Sequence, residues 1–449
     1  MKQHLTLLGA LVCFFLLSIS SNAAAGDIQS AQSAVGPSTE QLESDLNTTF
    51  VLISAALVFF MQAGFCLLEL GCVRAKNCLN VVMKNAVDFC IAMICFLFVG
   101  FGLMFGATAM GLLGTEITWL STFNGDSQLW VFWIFQAVFV ATAATITSGA
   151  MAERTTFIGY CAYTVLISGI IYPILGHWSW GSFAGDYAPG FGGTSGWLES
   201  LGFSDFAGST VVHSIGGACA LAGVLVIGPR KGRFAKNGDP LLISGHNIPL
   251  VALGTFILCF GWFGFNCGSN LAAGNEIGRI AVNTMVAAAS GGLLGLAAFW
   301  IRDGRPEPLS TMNGILGGLV AITACCNVVT PASAVIIGAI AGVVSTLGSE
   351  LLLKFKIDDV VGAIPVHLFN GIWGTLSVAL FNEAGFAGKQ LGVQALGAFS
   401  TSIAAFVAAF IGFKIIHATI GLRASEEEEE DGLDFSEHAS NAYPDFRSE

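Results

Sequence analysis

About eleven apolar runs, each long enough to cross the roughly 30 Å hydrocarbon layer of a bilayer, recur along the 449 residues. They fall near 48–70, 86–108, 129–149, 157–176, 207–228, 248–267, 280–301, 312–327, 332–353, 360–382 and 393–421. Few carry a Lys, Arg, Asp or Glu at the centre. In hydrocarbon only a helix or a closed barrel satisfies its own backbone groups, and runs of this length favour helices. The chain therefore reads as an all-α integral membrane protein with eleven transmembrane helices. Composition agrees: 54% of residues are hydrophobic, 11% are charged and the mean hydropathy is +0.74, which excludes an ordinary soluble domain.

The N-terminus reads differently. Lys2 precedes an apolar stretch from Leu5 to Ile19, and the small residues Ser21 to Gly26 follow. This pattern predicts a cleaved signal peptide over 1–25, with an uncleaved anchor as the alternative. Residues 26–47 then form an extracytoplasmic N-terminal segment. Basic residues test that orientation. With eleven spans and the N-terminus outside, the inner connections carry Arg74, Lys76, Lys84, Arg154, Arg230, Lys231, Arg233, Lys236, Arg302, Arg305, Lys354, Lys356 and Arg423, and the outer ones only Arg279 and Lys389. The expected location is the cell (inner or plasma) membrane, with the C-terminus in the cytoplasm.

The net charge of −12 gathers in an acidic cytoplasmic tail, 424–449, around the run Glu426 to Asp431. No nucleic-acid partner follows from it, and a Glu run reads first as a solvated end. The twelve cysteines form no paired CxxC sets, so they read as small packing residues rather than a metal site, and no cofactor is expected. Cys66, Cys72 and Cys78 recur every six residues without a functional reading. Gly291-Gly292 and Gly317-Gly318 read as points of close helix approach.

A repeat carries more information. Asp205-Phe206-Ala207-Gly208-Ser209-Thr210-Val211-Val212-His213 and Asp359-Val360-Val361-Gly362-Ala363-Ile364-Pro365-Val366-His367 share Asp, Gly, Val and His at the same offsets, and Gly217 and Gly371 continue the match. These are the fifth and tenth runs. A duplicated five-span unit, with halves about 48–228 and 248–382 and a last helix at 393–421, would produce them. Five is odd, so the copies sit inverted in the membrane. Eight helical residues rise roughly 12 Å, which carries each histidine from its aspartate towards the midplane. An intramembrane histidine is a functional candidate by default, and a matched pair more so than one satisfied by a carbonyl. Asp205 and Asp359 are expected to cap helix starts, a direct place on a proton path being the alternative.

The run DFAGSTVVHSIGGACALAGVLVIGPR, Asp205 to Arg230, resembles the signature segment of the Amt/MEP/Rh ammonium transporter family. FQAVFVATAATITSGAMAER from Phe135, GWFGFNCGSN from Gly261, the Asp358–His367 segment, MQAGFCLLELGCVRAKN from Met61 and GLDFSEHASNAY from Gly432 are similar to other parts of it. The resemblance extends over essentially the whole mature chain. It implies that Phe139 and Phe265 are stacked phenylalanines closing an outer pore mouth. Ser269 would accept a hydrogen bond from the arriving cation, and Phe139 and Trp180, with Trp178 a close competitor, would recruit it. His213 and His367 would be twin pore histidines. Ammonium, ammonia and methylammonium are the implied substrates, a homotrimer the implied assembly, and a docked tail touching the PII signalling protein at the cytoplasmic face an implied alternative to the solvated end. The chain departs from many members after His367, where Leu368-Phe369-Asn370 is bulky, and in the Gly-rich stretch before Asp205.

The chemistry stands on its own terms. Ammonium and potassium are nearly the same size, so a simple cation hole passes both. A dry pore separates them, because ammonium can shed a proton and cross as ammonia while potassium cannot lose its charge. Aromatic faces attract the cation by about 1–2 kcal/mol, and two hydrogen-bonded imidazoles offer a relay for the proton. The rival readings are an ammonium sensor acting through a separate partner, since the stretch after Arg423 is short, and an electroneutral Rh-like ammonia channel. An intramembrane hydrolase is disfavoured, because no serine sits in a nucleophile turn, so no enzyme activity is expected.

Overall fold

The computed structural model describes residues 38–117, 119–122, 127–187 and 192–444. The expected signal peptide and most of the segment 26–47 lie outside the described residues, as do 445–449 at the tail. The chain divides into two units, the first ending at Asp45 and the second beginning at Leu46. In the first, the described residues open a helix at Thr39, and Gln41 Nε2 donates to Asp45 Oδ1 at 2.9 Å. The second holds the remaining helices and the tail.

Among the described residues, nine helices are long and apolar enough to cross a membrane: α1 (Thr39–Cys72), α2 (Ala75–Phe105), α3 (Ser127–Met151), α4 (Phe157–Trp180), α5 (Ser209–Ile227), α6 (Ile248–Cys267), α7 (Glu276–Asp303), α9 (Pro331–Lys354) and α11 (Gly388–Thr419). Two shorter apolar helices, α8 (Pro308–Thr323) and α10 (Ile364–Leu380), occupy the two remaining expected runs. The caps are local and legible. Thr156, Asn247, Glu307 and Thr330 each accept a first-turn N–H, and prolines at the first turns of α6, α8 and α9 spend no hydrogen bond.

Two expectations are corrected by the helix bounds. α2 starts at Ala75 rather than near 86, because Lys84 is not a loop cation: its Nζ donates to the Thr155 carbonyl at 2.5 Å and the side chain is buried. The stretch from Asp205 to His213 is not eight helical residues. Gly208 has φ +112° and Gly362 φ +80°, a left-handed conformation cheap only for glycine, and the helical turns begin just beyond them. The helical rise to His213 from Ser209 is thus about 6 Å rather than 12.

Outward faces are apolar, with Phe256, Leu293 and Ile403 63%, 65% and 61% exposed, as suits contact with hydrocarbon. Between α7 and α8, a Cβ on Gly291 would stand 2.3 Å from the Gly314 carbonyl, so the close approach expected there is real.

The tail is not a solvated end over the described residues. Glu426–Asp431 and Leu433–His438 form two short helices folded against the α1–α2 and α3–α4 connections. Asp434 Oδ1 accepts the Asn80 N–H at 2.8 Å, Asn77 Oδ1 accepts the Leu433 N–H at 2.9 Å, and Glu437 Oε1 accepts the Phe157 N–H at 3.1 Å. Glu429 is buried, taking hydrogen bonds from the Lys231 N–H and from Arg423. Its charge is therefore used in docking rather than left to water.

Candidate functional site

His213 and His367 stand in equivalent π-helical turns, Ser209–Ser214 and Ile364–Phe369. A π turn admits one extra residue, breaks the regular ladder and recurs at functional sites. Upstream, the same device precedes both. The Asp205 carboxylate accepts N–H groups from Gly208, Thr210 and Val211 at 3.0, 2.9 and 2.9 Å. Asp359 accepts those of Gly362, Ala363 and Ile364 at 3.0, 3.0 and 2.7 Å. Burial pushes the Asp205 carboxyl up to about 6, against the backbone donors that favour its charged form, and Asp359 is raised by the same cause.

The two segments then cross at their matched glycines. A Cβ on Gly217 would meet the Leu368 N–H at 2.5 Å, and one on Gly371 would meet the Ser209 carbonyl at 2.4 Å. This reciprocal approach sets the imidazoles side by side. Their Nδ1 atoms lie 3.1 Å apart, the ring centroids 5.2 Å apart and the planes 23° from parallel. Both rings are buried. Two Nδ1 atoms at that distance share one proton, one donating and the other accepting.

On one side of the pair, Phe139 and Phe265 pack ring against ring at 4.2 Å, tilted by 34°. Phe265 belongs to a third π turn, Phe263–Cys267, and its ring lies 5.4 Å from that of His213. Trp180 and Phe139 meet at 6.4 Å with their planes near perpendicular, at 78°, and Trp180 Nε1 donates to the Asp205 carbonyl at 2.8 Å. Trp178 turns elsewhere, donating to the Leu112 carbonyl at 2.9 Å and pairing with Trp197. The geometry therefore separates the two tryptophans and brings Trp180 to the phenylalanines. Ser269 Oγ donates to the Phe265 carbonyl at 2.8 Å, which leaves its lone pairs free to accept. Trp180, Ser269, Asp205 and Phe206 share the wall of a cavity of about 360 Å³. Phe139, Gln136, Trp180 and Ser269 line a narrow extension of about 10 Å³.

Beyond the histidines, His367, Phe65, Glu69 and Val366 help to line a cavity of about 20 Å³. Leu368 backs onto Gly217, Phe369 packs against Gly348 and the Asn370 amide donates to Ser345 Oγ at 2.8 Å, so none of the three bulky departures lies on that wall.

Sequence reasoning missed Trp262 and Phe65. Trp262 lies 5.3 Å from His213 at 19°, with its Nε1 held by Thr323 Oγ1 at 3.0 Å, and the Phe65 ring stands 6.3 Å from His367. A signal existed for the first: Trp262 is three residues before Phe265 in the same motif, close to one helical turn.

In order from the large cavity, the arrangement offers an indole ring and a hydroxyl acceptor, two closely packed phenyl rings, a hydrogen-bonded imidazole pair and a small second cavity. No fixed charge stands among Phe139, Phe265, His213 and His367. A cation can be attracted as far as the rings, but its charge is unmatched beyond them, whereas a neutral hydrogen-bonding molecule meets the imidazole nitrogens.

Known proteins share this framework. The Ammonium Transporter Family profile matches residues 49–443. "Ammonium transporter Amt2" of Archaeoglobus fulgidus is 44% identical over 434 residues, which cover 91% of this chain and 90% of that one. The solved structure of a "Sensor Amt Protein" is 42% identical and superposes with a TM-score of 0.84, covering 89% of this chain and 100% of that one. Mep2 of Candida albicans superposes with a TM-score of 0.76 at 26% identity, covering 86% and 87% of the two chains. With profile, sequence and fold in agreement over nearly all of its length, the chain belongs to the Ammonium Transporter Family.

Proposed function

We propose that this chain takes up ammonium by recruiting the cation at Trp180, Ser269 and Phe139, stripping its proton at the Phe139–Phe265 stack, and conducting ammonia past His213 and His367 while the imidazole pair relays the proton. The observation that carries the reading is the histidine pair at 3.1 Å standing directly behind two stacked phenylalanines. Potassium cannot shed its charge, so the uncharged stretch rejects it. The matched Asp, Gly and His devices support eleven spans arranged as two inverted five-span halves, and the asymmetry of basic residues supports the mature N-terminus outside and the tail in the cytoplasm. Family membership supports a homotrimer, methylammonium as a second substrate and a PII-type partner at the docked tail as parts of the same proposal.

The testing experiment places purified protein in liposomes and records current on a jump in ammonium and then in potassium. Current with ammonium and none with potassium is expected. Equal currents would refute the neutral-ammonia mechanism, and ammonia entry without current would indicate an electroneutral channel. One observation favours a second reading: the solved relative at 42% identity is a sensor Amt protein. A sensor would bind ammonium at the outer site without sustained current.

A further inference from the structure

The inner cavity holds an acid for which the twin-histidine mechanism has no use. Glu69 stands three residues before the end of α1 at Cys72, so about 4.5 Å of helix separates it from the Arg74 end. It is buried at 3% exposure. Its two carboxyl oxygens each lie 2.7 Å from Ser148 Oγ, and Asn85 Nδ2 donates to Oε2 at 2.9 Å. All these partners are neutral.

The charged groups bearing on Glu69 are otherwise engaged. Lys84 gives its ammonium to the Thr155 carbonyl, and Asp88 accepts from Tyr160 and Thr145. α3 offers Ser148, α10 offers His367, and Cys66 and Cys72 are the ionisable groups nearby on α1 itself. A buried carboxyl without a cation is costly in a membrane protein, and a packing role would be met as well by Gln. Among the described residues, Glu69 is also the one acid lining the cavity that His367 enters. That cavity, at about 20 Å³, exceeds the roughly 10–15 Å³ that one water requires.

We propose that Glu69 is the inner proton acceptor of the pore, a role that rests on the twin-histidine reading. The N–H bond of the protonated pair breaks at His367 as a cavity water takes its proton. That water passes another to the Glu69 carboxylate, which becomes a neutral acid. Release to solution at the Arg74 end restores the carboxylate, and the ammonia that crossed separately is reprotonated in solution. Charge and protons balance, and no further reactant is needed.

The test uses the full chain in liposomes, comparing wild type, Glu69→Gln and Glu69→Asp for ammonium-driven current and its dependence on internal pH. A positioned proton-transfer group contributes about 10²-fold or more, and water entering the cavity recovers part of that, so Glu69→Gln should lose about tenfold in current per folded protein. Its current should also cease to respond to internal pH where the wild type responds. A purely structural role would leave that pH profile unmoved, which overturns the assignment. If Glu69→Gln does not fold, Glu69→Asp carries the test: its shortened carboxyl should retain part of the current and all of the potassium exclusion, and a wild-type current with a wild-type profile overturns the proposal. Wild-type protein without ammonium current sinks the twin-histidine reading and this assignment together. Wild-type current alongside an unaffected Glu69→Gln sinks the assignment alone.

Discussion

The Nδ1 atoms of His213 and His367 face each other at 3.1 Å, and the rings that carry them come from two segments with the same capping aspartate, the same left-handed glycine and the same π turn. A shared proton at this point makes the pair a unit, so either ring alone leaves the other without its partner. Replacing His213 or His367 with Ala should remove ammonium-driven current while the protein still elutes as a folded species. An acidic replacement is more telling. A carboxylate can relay a proton but sets a fixed negative charge in a pore that, on the proposed reading, works by having none. We expect His213→Glu to keep some transport and to admit potassium. Wild-type current and selectivity in the double His213→Ala, His367→Ala variant would leave the pair a structural role.

Asp205 supplies a pH dependence at the other end. Burial raises its carboxyl to about 6, so below that value the group is neutral and above it negative, on the wall of the cavity shared by Trp180 and Ser269. A unit charge near solvent contributes about 1 kcal/mol to a cation a few ångströms away, or about fivefold in apparent affinity. Half-saturation for ammonium should therefore tighten about fivefold as the outer pH rises through about 6. Ammonium itself stays protonated across that window. A flat profile would show that Asp205 is silent and serves only as the cap of the Ser209 turn.

The docked tail makes a different kind of prediction. Asp434 is buried and bonded to the Asn80 N–H, and Leu433, also buried, is tied to Asn77 through its own N–H. Asp434→Ala leaves one buried donor without a partner, a loss of about 1–3 kcal/mol, comparable to what holds a short peripheral element in place. Limited proteolysis should cut the variant after Arg423 well before the wild type. Equal cutting rates would mean that the tail already opens freely.

Much of this architecture is legible in the residues, and the rest escapes for physical reasons. The runs predict the helices because hydrocarbon demands long apolar segments, and the repeat predicts that His213 and His367 belong together because duplication preserves offsets. The start of α2 is misplaced because Lys84 looks like a loop cation, and no single-residue pattern reveals that a carbonyl from Thr155 will receive it. The Asp205–His213 helix is over-extended because Gly208 can be helical or left-handed, and only the three backbone donors on Asp205 decide which. Glu426 to Asp431 looks solvated because Lys231, which pairs with Glu426 and Glu430, and the tail's capping partners, Asn77 and Asn80, come from distant stretches. Trp180 and Trp178 cannot be separated by spacing, since the choice depends on Leu112 and Asp205 carbonyls brought near by folding.

Beneath the pore, Asp358 and Arg230 form a buried pair whose consequences can be worked out in full. Arg230 Nε lies 2.8 Å from Asp358 Oδ2 and its Nη2 donates to Oδ1 at 3.0 Å, with both side chains almost inaccessible. Arg154 donates to the Asp358 carbonyl at 2.6 Å, and Arg233 reaches Oδ1 at 3.2 Å. Burial opposes the charge on Asp358. The hydrogen bonds from Arg230 and the charges of Arg154 and Arg230 outweigh it and hold the carboxyl well below its ordinary value. A carboxyl lowered in the folded state stabilises the fold at every pH above its unfolded value of about 4, and that contribution is lost only as pH falls from there towards the folded value. Thermal stability in detergent should therefore be level with respect to this pair from neutral pH to about pH 5 and decline below about pH 4. Asp358→Asn removes the nearer of two anions on Arg230, leaving Glu153 at 3.5 Å and Arg154 close by, and breaking a buried pair this way costs up to about 3–5 kcal/mol. Its melting temperature should drop by several degrees at neutral pH, with much less further loss on acidification than the wild type shows. Adding Arg230→Gln should recover part of the loss, because it withdraws a buried cation from beside Arg154 while Glu153 keeps Arg74. An unchanged melting temperature for Asp358→Asn, or an acid sensitivity equal to that of the wild type, would show that the pair does not set the stability of this end of the molecule.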